Sequence, residues 1–313
     1  MLVTYQVERL LTELAKQLLR QNACLQKHKN SWRFRNLYLA TAATIASYWS
    51  KFALTTGCAR TRSNHNGDSH VVATIIAHRG LDETYPENTL AAFTAALEKG
   101  MSIEIDVRGT KDEELIVLHD PTVNRTTNGE GPVARMTLEE VKALDAGSWW
   151  DEKFAGERIP TLNETLDVVK EYGTADISLI IEMKTLDPGC INKICDGLAE
   201  RELLESTVGI GLIHQSVDVR RRFYGGSPEF QCASVANTAD ELPTAIADPY
   251  SSWIYVRYLL SEKDVKTAHD AGKKLIASGP GIMDNNEALI ASANAGADTL
   301  MAYHPESLAE ALG

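Results

Sequence analysis

From residue 71 to its end the chain repeats one pattern: a short apolar run, a turn, then a stretch of helix length. The runs with strand character are Ala73–Ala77, Ser102–Asp106, Ser178–Glu182, Thr207–Leu212, Gln231–Val235, Trp253–Val256, Lys274–Ala277 and Thr299–Ala302. They are short and apolar, as strands buried on both faces of a parallel sheet are. Between them the spacing predicts helices over Asn88–Lys99, Ile191–Arg201, Val217–Tyr224, Ala239–Ala247, Glu262–Ala271 and Asn285–Ala295. Gly100, Gly272 and Gly296 follow three of these, where a helix C-cap favours a residue tolerant of positive φ. Eight strand–helix units within about 240 residues match the size of a (β/α)8 TIM barrel, an α/β fold. An open doubly wound sheet is the alternative, because alternation does not by itself require closure.

One interval is too long for a simple crossover. Residues 107–177, after strand two, contain a short run at Leu115–Leu118, a turn-rich stretch, and helical patterns near Leu138–Leu144 and Leu162–Glu171. This reads as an insertion on the face where barrel enzymes carry their chemistry.

Charge divides the chain into two parts. The net charge is −12, yet residues 1–62 carry a net +8, which leaves −20 on the rest. An acidic body disfavours nucleic acid as a partner, since binding a polyanion needs clustered Lys and Arg. The expected organisation is a basic N-terminal segment (1–36), an apolar segment (37–57), a polar linker (58–70) and the barrel (71–313). Leu37–Gly57, with 21 residues, would reach about 30 Å as a helix, the thickness of a bilayer core. Leu37–Trp49 also suits the apolar region of an export signal, and Thr56-Gly57-Cys58 resembles a bacterial lipoprotein cleavage site. Either case makes the protein membrane-anchored or exported, with the barrel outside the cytoplasm; an ordinary buried helix is the plain alternative. The five cysteines form no CxxC pair, which argues against a zinc site or redox dithiol. Cys190, Cys195 and Cys232 read as buried thiols.

The ionisable residues fall at strand ends. His78 and Arg79 follow strand one, Glu104 and Asp106 end strand two, His119 follows the short run, and Glu182 and Lys184 close strand three. Barrel enzymes place catalytic groups at the C-terminal ends of strands. Glu104 and Asp106 are two apart in a strand and so share a face. With Glu182 from the neighbouring strand, three carboxylates converge, a set of oxygen ligands suited to Mg²⁺ or Ca²⁺. Arg79 and Lys184 supply positive charge for an anionic phosphate group. Two histidines can divide acid–base work, one deprotonating a nucleophile and the other protonating a leaving alkoxide.

These residues sit in AHRGLDETYPENTLAAF (77–93), IEIDVRGTKDEELIVLHDPTVNRTTNGEG (103–131), IPTLNETLDVV (159–169) and IIEMK (180–184). In this order the segments resemble the glycerophosphodiester phosphodiesterase family, closely over about 110 residues and more loosely to the end. The resemblance implies a barrel with a small insertion after strand two, and hydrolysis of a glycerophosphodiester to glycerol 3-phosphate and an alcohol. It implies His78 and His119 as the acid–base pair, Glu104, Asp106 and Glu182 as ligands of a divalent metal, and Arg79 and Lys184 as phosphate contacts. Glu87, in PENT, belongs to the motif and is implied to orient the first loop or to contact substrate. Some members hold the second histidine near the metal, which makes His119 an alternative ligand.

The C-terminal half departs from the family pattern. Ser278 stands near the usual Trp of strand seven, and Tyr303 replaces the usual Asp after strand eight. Both positions are expected at the barrel mouth, where they would bear on contacts to the glycerol and the alcohol rather than on phosphoryl chemistry. Hydrolysis of a lysophospholipid or sphingolipid is the competing enzymatic reading. A membrane-anchored binding module without catalysis is the competing non-enzymatic one, although such a module has no need of two histidines.

Overall fold

A computed structural model describes residues 73–184, 188–211 and 216–313. The segments 1–36, 37–57 and 58–70, with the membrane, signal and linker readings attached to them, lie outside the described residues. Among the described residues no helix is long and apolar enough to cross a membrane.

Strands β1 (Thr74–Ala77), β2 (Ser102–Gly109), β3 (Leu115–Val117), β4 (Leu179–Met183), β5 (Thr207–Gly211), β6 (Gln231–Ala236), β7 (Trp253–Val256), β8 (Lys274–Ala277) and β9 (Thr299–Ala302) form one sheet. All but β3 are parallel, and β1 pairs with both β2 and β9. The sheet is therefore a closed eight-stranded parallel barrel, and the open-sheet alternative falls on those two pairings. Among the described residues the α-helices are α1 (Leu90–Glu98), α2 (Leu138–Lys142), α3 (Leu162–Tyr172), α4 (Pro188–Glu200), α5 (Val217–Gly226), α6 (Leu242–Ile246), α7 (Glu262–Asp270), α8 (Asn286–Asn294) and α9 (Pro305–Leu312).

Alternation along the strands sorts side chains between two cores. Ile103, Ile105, Val107, Leu179, Ile181 and Met183 face outward and pack under helix residues such as Phe93, Leu97, Leu166 and Ile194. The inward residues include Ile76, Ile180, Val208, Ile210, Trp253, Ile276 and Met301, which fill the barrel as an apolar plug. Glu104, Asp106 and Glu182 occupy inward positions on the same strands. Their carboxylates therefore have hydrocarbon beneath them rather than water.

The interval after β2 divides differently from the sequence expectation. Helix α3 is part of the barrel wall: Leu162, Leu166 and Val169 belong to the outer core, and the helix carries the chain from β2 to its parallel neighbour β4. Its start is set by a capping box between Thr161 and Glu164. The excursion proper is residues 110–160, which have a small core of their own built on Ile116, Leu118, Val123, Val133, Val141 and Ile159. Strand β2 also runs on to Gly109, beyond the expected end at Asp106, because its last residues pair antiparallel with β3. The helix expected over Ala239–Ala247 is broken into a 3-10 turn, Ala239–Glu241, and α6, with Pro243 in the first turn of α6. Cys190, Cys195 and Cys232 are buried, as expected.

Candidate active site

The β2–β4 register sets the centre of the site. Asp106 lies directly opposite Glu182, and Glu104 opposite Ile180. Two inward carboxylates on β2 and one on β4 therefore meet, with a ligand oxygen from each within 4.8 Å of the others. Glu104 and Asp106 are almost fully buried, and Glu182 is partly open. Burial first, then Asp106 and Glu182, push the Glu104 carboxyl well above the usual carboxylate range. Asp106 is held low in spite of its burial, because Lys184 and Arg79 face it. One oxygen of Glu104, Oε1, is buried with no hydrogen-bond partner among the described residues. Three convergent carboxylates, one with an orphaned oxygen, are a donor set that a hard divalent cation fits.

Glu182 reaches the cluster only because its neighbour has no side chain. A Cβ on Gly211 would lie 2.2 Å from Cγ of Glu182, and Gly211 has φ +78°.

Cationic groups flank the carboxylates. Lys184 Nζ lies 2.6 Å from Glu182 and 3.1 Å from Asp106. Arg79 lies 3.4 Å from Asp106 through Nε and donates from Nη1 to Glu87 at 3.0 Å. Its backbone N–H donates to Glu104 Oε2, in a turn where Arg79 adopts φ 58°. A left-handed arginine is a costly conformation, and at this position it aims both the main-chain N–H and the guanidinium at the carboxylates. Gly80, next in the turn with φ 84°, packs so closely that a Cβ would meet Ala92 Cβ at 2.8 Å. Asn88, with φ 56°, donates to Asp106 Oδ2 at 2.9 Å.

The two histidines enter from different loops. His78 follows β1, where its backbone N–H donates to Ala302, and the Tyr303 ring stands edge-on to its imidazole with centroids 4.7 Å apart. Burial, with Arg79 adding to it, lowers the His78 pKa to about 3, so the ring is neutral near pH 7. Its Nδ1 is buried without a partner among the described residues. His119 follows β3. The hairpin returns the chain to β2, where the Leu118 N–H donates to the Asp106 carbonyl, and Arg108 fixes the His119 carbonyl with two hydrogen bonds. His119 Nδ1 lies 2.7 Å from Asp120 Oδ1.

All eight residues singled out in the sequence thus gather at the C-terminal mouth of the barrel: His78, Arg79, Glu87, Glu104, Asp106, His119, Glu182 and Lys184. Sequence reasoning missed Asn88, Arg108, Asp120, Arg125 and Gly211, although all but Gly211 lie within the motif segments. Ser278 does not line the mouth as expected. It is fully buried, with its hydroxyl 3.2 Å from the sulfur of Met283. Tyr303 does reach the surface.

Comparison with known proteins follows the same residues. The sequence model of the glycerophosphoryl diester phosphodiesterase family matches residues 78–291. The chain belongs to this family. It is 47% identical over 152 residues to a glycerophosphodiester phosphodiesterase of Caldanaerobacter subterraneus, covering 47% of this chain and 61% of that protein. A putative glycerophosphodiester phosphodiesterase of Bacillus subtilis is 52% identical over 111 residues, which are 35% of this chain and 44% of that one. The chain therefore spans about half the length of the curated relatives it matches. Among solved structures, a glycerophosphodiester phosphodiesterase from Agrobacterium tumefaciens superposes with a TM-score of 0.64 at 28% identity, covering 76% of this chain and 99% of that one.

Proposed function

We propose that this member of the glycerophosphodiester phosphodiesterase family hydrolyses glycerophosphodiesters to glycerol 3-phosphate and an alcohol. The observation that carries the reading is the buried triad Glu104, Asp106 and Glu182, flanked by Arg79 and Lys184 and approached by His78 and His119 at one barrel mouth. The triad would hold Mg²⁺ or Ca²⁺, which supplies positive charge against the phosphoryl oxygens. Arg79 and Lys184 bind and orient the diester. Both oxygens of Glu87 are taken by arginines, so it serves the phosphate by fixing Arg79 rather than by touching substrate.

The histidine environments support a division of the two proton transfers between them. His119 Nδ1 is held by the Asp120 carboxylate at 2.7 Å, which leaves Nε2 as the nitrogen that can give a proton to the leaving alkoxide. Among the described residues no carboxylate is hydrogen-bonded to His78, and its ring is neutral, which suits it to take the proton of the attacking water. The water oxygen–phosphorus bond forms as the phosphorus–alcohol oxygen bond breaks. The alcohol leaves with the proton of His119, and His78 ends protonated.

The test is product analysis with purified chain, with and without Mg²⁺ or Ca²⁺, on glycerophosphocholine, glycerophosphoethanolamine and lysophosphatidylcholine. Glycerol 3-phosphate is expected from the first two. Choline released from the lysolipid alone would move the activity to lysophospholipids, and no product from any of them would leave a binding module.

The proposal extends to location. Seven of the first 36 residues are Lys or Arg and precede the apolar segment 37–57. Positive residues stay on the cytoplasmic side, which puts the barrel on the far side. The full chain is expected to sediment with membranes and its barrel to be cut by external protease in intact spheroplasts. Recovery wholly in the soluble cytosolic fraction would return residues 37–57 to an ordinary buried helix.

A further inference from the structure

Arg125 belongs to neither the metal cluster nor the phosphate contacts, yet it is the most heavily paired cation at the mouth. Its Nε and Nη2 donate to the two oxygens of Asp120 at 2.8 and 3.0 Å. Its Nη1 and Nη2 donate to the two oxygens of Glu87 at 2.6 and 2.9 Å. The guanidinium thus presents a two-pronged edge to each carboxylate, with four of its five N–H donors engaged. Little donor capacity is left for a substrate phosphate, and its charge is already opposed by two acids. Substrate binding is therefore the weaker account of it.

What Arg125 does hold is the partner of His119. Asp120 Oδ1 receives both an Arg125 N–H and the contact with His119 Nδ1. Arg125 also draws the Asp120 carboxyl far below the usual carboxylate range, His119 adding to the effect. An ionised Asp120 can only accept, so the proton of that contact lies on Nδ1 of His119, and Nε2 is the nitrogen left to take up and deliver the reactive proton. The His119 side chain is 34% exposed. It lacks the packing that fixes His78, so its ring needs an external hold. Through Glu87 the same guanidinium reaches Arg79, which ties the loop after β3 to the loop after β1 in one chain of ion pairs.

We propose that Arg125 is a positioning residue for His119: by clamping Asp120 against Glu87 it sets the imidazole tautomer and aim that deliver a proton to the leaving group. This rests on the acid role proposed for His119 above. A lysine cannot replace the clamp, because an ammonium has no pair of planar edges.

The experiment compares wild type, Arg125→Ala and Arg125→Lys under the divalent cation that supports wild-type turnover. The two substrates are glycerophosphocholine and the p-nitrophenyl ester of glycerol 3-phosphate. Nitrophenolate departs without a proton, so loss of acid alignment does not slow it. Both variants are expected to lose kcat on glycerophosphocholine by about 10²-fold, the lower range for a positioned acid, and to lose less than about threefold on the activated ester. Equal losses on both substrates, or unchanged kcat on glycerophosphocholine, would overturn the proposal. A second readout needs no turnover. Long-range ¹H–¹⁵N spectra of the full chain are expected to show the His119 ring protonated at Nδ1 in wild type and as mixed tautomers in Arg125→Lys. The same tautomer in both would also overturn it. If wild type hydrolyses neither ester, the proposed function fails, and the imidazole spectrum still decides the clamp.

Discussion

Removing divalent cations with EDTA is expected to bring hydrolysis of glycerophosphocholine by the purified chain to background, and Mg²⁺ or Ca²⁺ to restore it. The reason lies in where the carboxylates are. Glu104 and Asp106 are 0% and 1% exposed, above a plug of Ile, Val and Met side chains that cannot solvate them. Like charges so placed repel unless a cation or proton intervenes, and the upward shift of Glu104 marks that cost. Lys184 and Arg79 relieve Asp106, but Oε1 of Glu104 has no partner among the described residues. An ion that binds only the folded chain stabilises it by about 2.7 kcal/mol at a hundredfold excess over Kd. For a domain of this size that is a rise in Tm of about 5–10 °C. Glu104→Gln makes the sign of the effect diagnostic. It removes a buried charge, so without metal its Tm should equal or exceed wild type, while the metal-induced rise shrinks. Gly211→Ala should also shrink the rise, because its methyl would occupy the space of the Glu182 side chain. If EDTA changes neither activity nor Tm, the carboxylates are not a metal site.

The barrel was legible because parallel strands buried on both faces announce themselves as short apolar runs, and β7, β8 and β9 begin and end where those runs do. Closure was not legible. It depends on β1 pairing with β9, residues 74–77 against 299–302, and no local pattern records a contact over that separation. The excursion misled for a related reason. Its interval was long enough to hide that the last helix, α3, is an ordinary crossover. In the site, the carboxylates could be placed together because a spacing of two on one strand fixes their common face. Asp120 and Arg125 could not be given a role, since the meaning of Arg125 lies in a partner 38 residues away, Glu87. Ser278 sits at a strand end like the functional residues, yet it turns inward toward two methionine sulfurs and leaves Tyr303 as the exposed departure from the family pattern.

His78→Ala and His119→Ala are each expected to lower turnover of glycerophosphocholine by about 10²–10⁴-fold, the usual contribution of a positioned acid or base. The metal-induced rise in Tm should persist in both, since neither residue is assigned to the carboxylate triad. The leaving group then separates the roles. His119→Ala should recover most of its activity on the p-nitrophenyl ester, where no proton is needed at the departing oxygen. His78→Ala should not, because the attacking water still has to lose its proton. Protonation also distinguishes His78 in the folding equilibrium. Its pKa is about 3 in the folded chain, lowered by burial and then by Arg79, against 6.5 for an ordinary histidine. Between those values the unfolded chain binds the extra proton and the folded one does not, so this residue destabilises the fold progressively as pH falls from about 6.5 toward 3, and has no effect above that window. His78→Asn should therefore lose less Tm than wild type between pH 7 and pH 5. Near-normal turnover in both alanine variants would remove the histidines from the mechanism, and equal loss on both esters by His119→Ala would remove it from the acid role.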